Sequence, residues 1–329
     1  MTKNLYFTSH GVRCAATHIP AQSDALTGRS GRPCVVMAHG FGGTRDSGLL
    51  SYAEEFAAAG IDVFVFDYRG FGDSDGSPRQ TIAVRRQRED YHAAIAAARH
   101  LPEVDADRIA LWGYSYAGGH VVAVAAQDPR VAAIVSLNPA TDGRATLAHI
   151  ARHRGGVMQL ARLTAHDLFD AALARLSRGP HYLPIVGEPG TTALVTSPGA
   201  AKAFSSLAGP TWRNEVAART ALEVGLNRPI TFSDRLACPM LMQVGTNDDI
   251  APPAAARRTA KKAGYLAQLC EYRIGHVEAF DGGLWQQQVR GDQVVYLSRV
   301  LDPSRAGDVH LRATSEGSRR GPLVVKLPW

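Results

Sequence analysis

Short runs of apolar residues recur along the first half of the chain, separated by longer stretches in which apolar positions are spaced out. Cys34 to Ala38, Ile61 to Phe66, Ile109 to Trp112 and Val131 to Leu137 are nearly continuous in apolar side chains. A strand that is apolar at every position, rather than at alternate ones, is covered on both faces, which is the condition of a parallel sheet. The stretches between carry the helical period: Leu50, Ala53 and Phe56, then Tyr91, Ile95 and Ala98, then Val121 to Ala126. Strand and helix therefore alternate over the first 137 residues. Ahead of them, Phe7 to Ile19 alternates around Gly11 and predicts a β-hairpin, followed by a polar loop from Ala21 to Arg32.

The alternation breaks at Asn138-Pro139. It resumes with a strand from Pro239 to Val244, a helix from Pro252 to Ala263, a strand from Gln268 to Ile274 and a final helix around Gln287 to Leu301. The predicted organisation is one α/β core in two parts, residues 1–139 and 237–301, around an insertion at 140–236. Within the insertion, Leu160, Leu163, Leu168 and Ala171, then Val216, Ala217 and Leu222, predict helices. Pro180, Pro184, Pro189, Pro198 and Pro210 interrupt them, giving a mostly helical cap over the sheet. Residues 302–329 are polar and contain Gly, Ser and Arg before a short Leu323-Val324-Val325 run, and are expected to form a mobile tail.

Composition excludes several classes. With 45% hydrophobic and 20% charged residues, the chain is neither disordered nor collagen-like nor a membrane protein by usage. The formal charge of +6 is scattered, and clusters such as Arg85-Arg86-Gln87-Arg88 and Arg319-Arg320 read as solvated faces, so no nucleic-acid partner is expected. Arg152, Arg154, Arg162 and Arg175 in the insertion are read the same way. No stretch approaches the ~20 apolar residues that span a bilayer, and no basic segment followed by an apolar core opens the chain. A cytoplasmic protein without a membrane partner is the expectation. Cys14, Cys34, Cys238 and Cys270 lie far apart without CxxC spacing, as expected of buried thiols in a reducing compartment.

The candidate chemistry sits at the ends of the apolar runs. Ser115, in Gly113-Tyr114-Ser115-Tyr116-Ala117-Gly118, follows one strand and precedes a helix, the context of a nucleophile elbow, whose tight turn needs small residues two positions either side. His39-Gly40-Phe41-Gly42-Gly43 follows the strand ending at Ala38, and its glycines let backbone N–H groups approach a ligand. The Phe41 and Tyr116 N–H groups are the candidate oxyanion donors. Gly245 to Pro252 follows another strand and holds two adjacent acids, Asp248 and Asp249, either of which could orient a histidine. His276, after Gly275 and past the last strand, is the best placed of 12 histidines to be the base. Serine, acid and histidine thus occur in the order this architecture uses.

Together with Asp67-Tyr68-Arg69-Gly70-Phe71-Gly72-Asp73-Ser74, these residues make the chain resemble the α/β-hydrolase superfamily over about Phe7 to Leu301. The phrases most resemble a bacterial branch related to dienelactone hydrolases and X-Pro dipeptidyl-peptidase-like acyl hydrolases. The resemblance implies an α/β-hydrolase fold: a mostly parallel central sheet flanked by helices, with an inserted helical cap. It maps a Gly-x-x-Asp-x-x-x-Pro pattern onto Gly245, Asp248 and Pro252, so it favours Asp248 over Asp249. It makes Asp67 to Ser74 a shape-determining loop, and a serine nucleophile is unlike the aspartate of the dehalogenase and epoxide hydrolase branches. Ala117, at the second elbow glycine, and Val277-Glu278, where an aromatic-acid pair is frequent, depart from the pattern.

The expected activity is hydrolysis of a carboxylic ester of a small or medium-sized molecule through an acyl-enzyme, with Ser115, Asp248 and His276 as the triad and no cofactor or metal. The expected partner is that small-molecule ester or a related acyl compound, and a homo-oligomer is compatible with it. Thioesterase, lactonase and amidase or peptidase chemistry would use the same groups. A non-catalytic binding protein of the same fold is the rival from another class.

Overall fold

A computed structural model describes residues 2–152, 156–280, 282–305 and 323–325. The hairpin is present as β1 (Lys3–Ser9) and β2 (Val12–Ile19), and the alternation that follows gives β3 (Arg32–Ala38), α1 (Leu50–Ala58), β4 (Asp62–Phe66), α2 (Val84–Arg99), β5 (Val104–Tyr114), α3 (Tyr116–Ala125) and β6 (Val131–Leu137). The inserted segment contains α4 (Gly143–Arg152), α5 (Gly156–Arg175), β7 (Tyr182–Leu183), α6 (Ala200–Leu207), β8 (Val216–Ala217) and α7 (Thr220–Leu226). The chain then returns to the sheet through β9 (Met240–Gly245), α8 (Pro253–Ala263), β10 (Ala267–Tyr272), α9 (Leu284–Val300) and β11 (Leu323–Val325).

The sheet runs β1-β2-β4-β3-β5-β6-β9-β10-β11. Strands β1 and β2 are antiparallel to their neighbours, and every pairing from β4 to β11 is parallel. The apolar runs explain this placement. Successive strand residues point to opposite faces, so Cys34, Val36 and Ala38 join one core layer while Val35 and Met37 join the other. Ile109 and Leu111 divide from Ala110 and Trp112 in the same way. Helices α2, α3 and α8 supply buried residues to the first layer, and α1 and α9 to the second. All four cysteines are buried and free.

Two expectations need revision. Val216 and Ala217 are not helical: they pair antiparallel with Tyr182 and Leu183 as a two-stranded ribbon, because Pro180 and Pro184 hold the facing segment out of helical conformation. Leu168, read as part of a helical pattern with Leu160, Leu163 and Ala171, lies in α5 as expected and points outward. Of the tail expected to be mobile, residues 306–322 and 326–329 lie outside the described residues, whereas Leu323–Val325 pairs with Gln268, Leu269 and Cys270 of β10. No helix among the described residues is long and apolar enough to cross a membrane. Arg152, Arg162 and Arg175 are exposed, and Arg154 lies outside the described residues.

The insertion is fastened to the loops that follow β3 and β4. Ala217 N donates to Gln80 O at 2.7 Å, Gln80 Nε2 donates to Glu215 O at 2.8 Å, and Thr211 N and Oγ1 both donate to Asp46 Oδ2. Ile185 fills the space beside Gly42, where φ is +64° and a Cβ would stand 2.5 Å from its Cδ1. The insertion therefore reaches the loop that follows β3.

Candidate active site

The strand-to-helix turn after β5 forces Ser115 into φ 58°, ψ −114°, a region costly for any residue with a Cβ. Crowding around it accounts for the small neighbours read from the sequence. A Cβ on Gly113 would collide with the Ala117 carbonyl, and one on Gly118 would stand 3.0 Å from Pro139 Cβ. Alanine at 117 is compatible with the turn, its side chain buried in the core. Backbone bonds fix the serine on both sides: Ser115 N donates to Leu137 O at 2.8 Å, and Ala140 N donates to Ser115 O at 2.9 Å.

Ser115, His276 and Asp248 form one hydrogen-bonded chain, all three buried. Ser115 Oγ lies 2.9 Å from His276 Nε2, and His276 Nδ1 lies 2.6 Å from Asp248 Oδ2. Facing a carboxylate, Nδ1 carries the proton, which leaves Nε2 free to accept one. Asp248 Oδ1 accepts from Ile250 N at 2.9 Å and Ala251 N at 2.8 Å, so the carboxylate is fixed by its own loop. Asp249 is exposed, and its carbonyl accepts from His149 Nε2 of α4 at 2.8 Å. The two acids left open by residue type thus have different environments, and Asp248 is the one beside the imidazole.

The glycine loop lies against the serine. A Cβ on Gly40 would stand 3.0 Å from Ser115 Cβ and 3.1 Å from Tyr114 O, so a larger residue would push the loop and the serine apart by a few tenths of an ångström. The rings of Phe41 and Tyr116 meet edge to face at 5.4 Å, which couples the two residues whose N–H groups are the candidate donors. Among the described residues neither N–H is paired with a protein acceptor. His39 is buried and donates from Nδ1 to Gly40 O at 2.9 Å. Burial pushes its pKa down to about 4, so it stays neutral and shapes the loop without charge. Asp67, after β4, accepts from the N–H groups of Arg45 and Asp73 and pairs with the Arg45 guanidinium. It is a brace at the exit of the same loop.

Two further residues at the site had no functional reading in the sequence. Asn138, buried at the end of β6 with φ 41°, donates from Nδ2 to His276 O at 2.8 Å and accepts from Gly245 N at Oδ1 at 2.7 Å. Tyr114 donates its hydroxyl to the same His276 carbonyl at 3.0 Å, and burial holds its pKa well above the ordinary phenol range, so the donor persists. The signal for Asn138 was its place between an apolar strand and a proline, where a loop residue and a brace look alike. Glu278, one of the departures noted above, accepts from Gly275 N at 2.9 Å and closes the histidine loop. Among the described residues no group of three His, Cys, Asp or Glu side chains could hold a metal ion.

Comparison with known proteins agrees with the fold. The chain is 36% identical to the quorum-quenching protein AidA of Acinetobacter baumannii, over 91% of this chain and 95% of that one. It is 39% identical over 34% of its length to the thiohydrolase aneE of Aspergillus aculeatus, 35% of whose length is matched. The crystal structure of the α/β hydrolase GrgF from Penicillium superposes with a TM-score of 0.77 at 25% identity, covering 92% of this chain and 99% of that one. The model of the serine aminopeptidase S33 family matches residues 29–274, three quarters of the sequence, and with that match the chain belongs to this family of α/β hydrolases.

Proposed function

We propose that this protein is a serine hydrolase that cleaves a carboxylic ester of a small or medium-sized molecule through an acyl-enzyme. The observation that carries the reading is the unbroken chain from Ser115 Oγ through the His276 ring to Asp248, anchored on a strained elbow. In this mechanism His276 Nε2 takes the Ser115 proton as Oγ attacks the carbonyl carbon, and Asp248 stabilises the imidazolium that forms. The Phe41 and Tyr116 N–H groups receive the developing oxyanion, an interaction worth about 3 kcal/mol per donor at such sites. His276 then protonates the leaving alcohol, and water enters to repeat the sequence and release the acid. Asn138 and Tyr114 hold the His276 carbonyl and so keep the ring in line.

A thioester substrate is the second reading, favoured by the partial match to a protein named as a thiohydrolase. The test is labelling of the intact protein by a fluorophosphonate probe, followed by rates on a matched panel of esters, thioesters, lactones and amides. Labelling that is abolished in Ser115→Ala, with esters turned over fastest, is the expected result. Unlabelled protein, or equal turnover by Ser115→Ala, would overturn the serine mechanism, and a preference for thioesters would move the substrate class.

A further inference from the structure

Helix α5 is built inside out. At ~100° per residue, its inward arc holds Leu163 together with Asp167 and Asp170, which are 1% and 0% exposed. The outward arc, spanning about 140° by the same spacing, presents Met158 (59% exposed), Leu168 (58%), Phe169 (55%) and Leu176 (71%) just past its end, with small alanines between. Exposed Arg175 and Arg162 border the two sides of this arc, and the only two acids of the helix face inward. A surface helix normally turns its apolar stripe to the core, so the fold of a single copy does not account for this face. What it accounts for is the inner arc: Asp170 accepts from the His181 and Arg219 backbone N–H groups and from the Arg219 guanidinium at 2.7 and 2.9 Å.

We infer that the outer face of α5 docks the protein, peripherally, on an anionic lipid surface. Charge selects the occupant. Arg162 and Arg175 edge the arc on opposite sides and both acids of the helix face inward, so a symmetric antiparallel pairing of two copies would bring only arginines to its two edges, with no acid on this face to pair them. An anionic bilayer supplies the missing negative charge along both edges while its acyl region takes Leu168, Phe169 and Met158. The arginine stems can lie along the apolar arc with their heads at the phosphates. A helix of 20 residues is about 30 Å long, and lying flat it offers a convex strip without polar groups that a partner protein would have to satisfy. The sequence-based expectation of no membrane partner rested on the lack of a spanning segment, and peripheral binding does not require one. The inference uses no part of the catalytic reading.

The experiment is flotation of the full chain with phosphatidylcholine vesicles containing about 30% phosphatidylglycerol, and with phosphatidylcholine alone. The protein is expected to float with the anionic vesicles at least about 10-fold more than with neutral ones, and to be released by high salt. Leu168→Glu with Phe169→Glu, and separately Arg162→Glu with Arg175→Glu, are each expected to lower binding by about 10-fold or more. Leu284→Glu, a similarly exposed leucine on α9, is expected to leave binding unchanged, and unaltered melting midpoints would show that the variants fold. Failure of the wild-type chain to float, or flotation of the Leu168/Phe169 variant at the wild-type level, overturns the inference. So does a dimer in sedimentation that this variant dissociates without any vesicle binding, or capture by an acidic protein in place of vesicles.

Discussion

The ends of the parallel strands and the insertion both bury aspartates, and they satisfy them in opposite ways. Asp248 takes two backbone N–H groups on one oxygen and keeps the other for the His276 ring. Asp170 gives both oxygens to Arg219, a permanent cation, and to backbone donors; burial alone would raise its pKa, but these bonds outweigh it and hold the carboxyl below its ordinary value. In the proposed mechanism the first arrangement leaves a charge to be created during a reaction, and the second neutralises one for good. Burial of a carboxylate is therefore no mark of chemistry by itself: the kind of partner decides.

Substitutions that exchange these roles test the contrast. The largest expected effect is Ser115→Ala, with a loss of about 10⁴- to 10⁶-fold in turnover and an almost unchanged melting midpoint. Asp248→Asn should follow, at about 10³- to 10⁴-fold, with Asp249→Asn within a few-fold of wild type in the same assay; equal losses would remove the distinction between the two acids. For Asn138→Ala, a fall of about 10- to 100-fold in kcat with little change in KM is expected, because the ring is misaligned while the pocket stays. A change confined to the melting midpoint would make Asn138 a brace of the fold alone.

The insertion should respond in stability instead. Arg219→Ala leaves Asp170 buried without its cation and should cost about 3 kcal/mol in denaturant unfolding, with fluorophosphonate labelling of the folded protein little altered. The smallest effect belongs to Asp167, whose pKa burial pushes up to about 6 from an ordinary 3.8. The folded state thus holds this proton more tightly than the unfolded chain. Its contribution to stability is present below about pH 4 and is lost as the pH rises through 6. Asp167→Asn should then stabilise the protein by about 1 kcal/mol at pH 8, allowing for solvent screening, and by almost nothing at pH 4. A pH-independent gain would point to packing.

The same contrast explains what could be read from the chain. Apolar runs such as Cys34 to Ala38 and Val131 to Leu137 state their own environment, since only a strand covered on both faces carries them, and Ser115, His276 and the acid pair lie at the ends of such strands. The hydrophobic pattern fails where it no longer reports on the core. Leu168 has the right spacing for burial, but the two aspartates on the opposite arc meet Arg219 and the backbone of residues distant in sequence, and those pairings decide which side faces in. Val216 and Ala217 become a strand through contact with a segment more than 30 residues earlier. Asn138 is invisible for a related reason: its role lies in the His276 carbonyl, 138 residues away.

The insertion leaves the sheet after β6 and re-enters it at β9, and these two strands are hydrogen-bonded neighbours, with Leu137 opposite Gln243. Its two ends are consequently adjacent, so segments of very different length can be exchanged at this seam without stretching the sheet or displacing the serine. The segment above the sheet can then diversify as a replaceable module, while the strands and the serine elbow beneath are inherited intact.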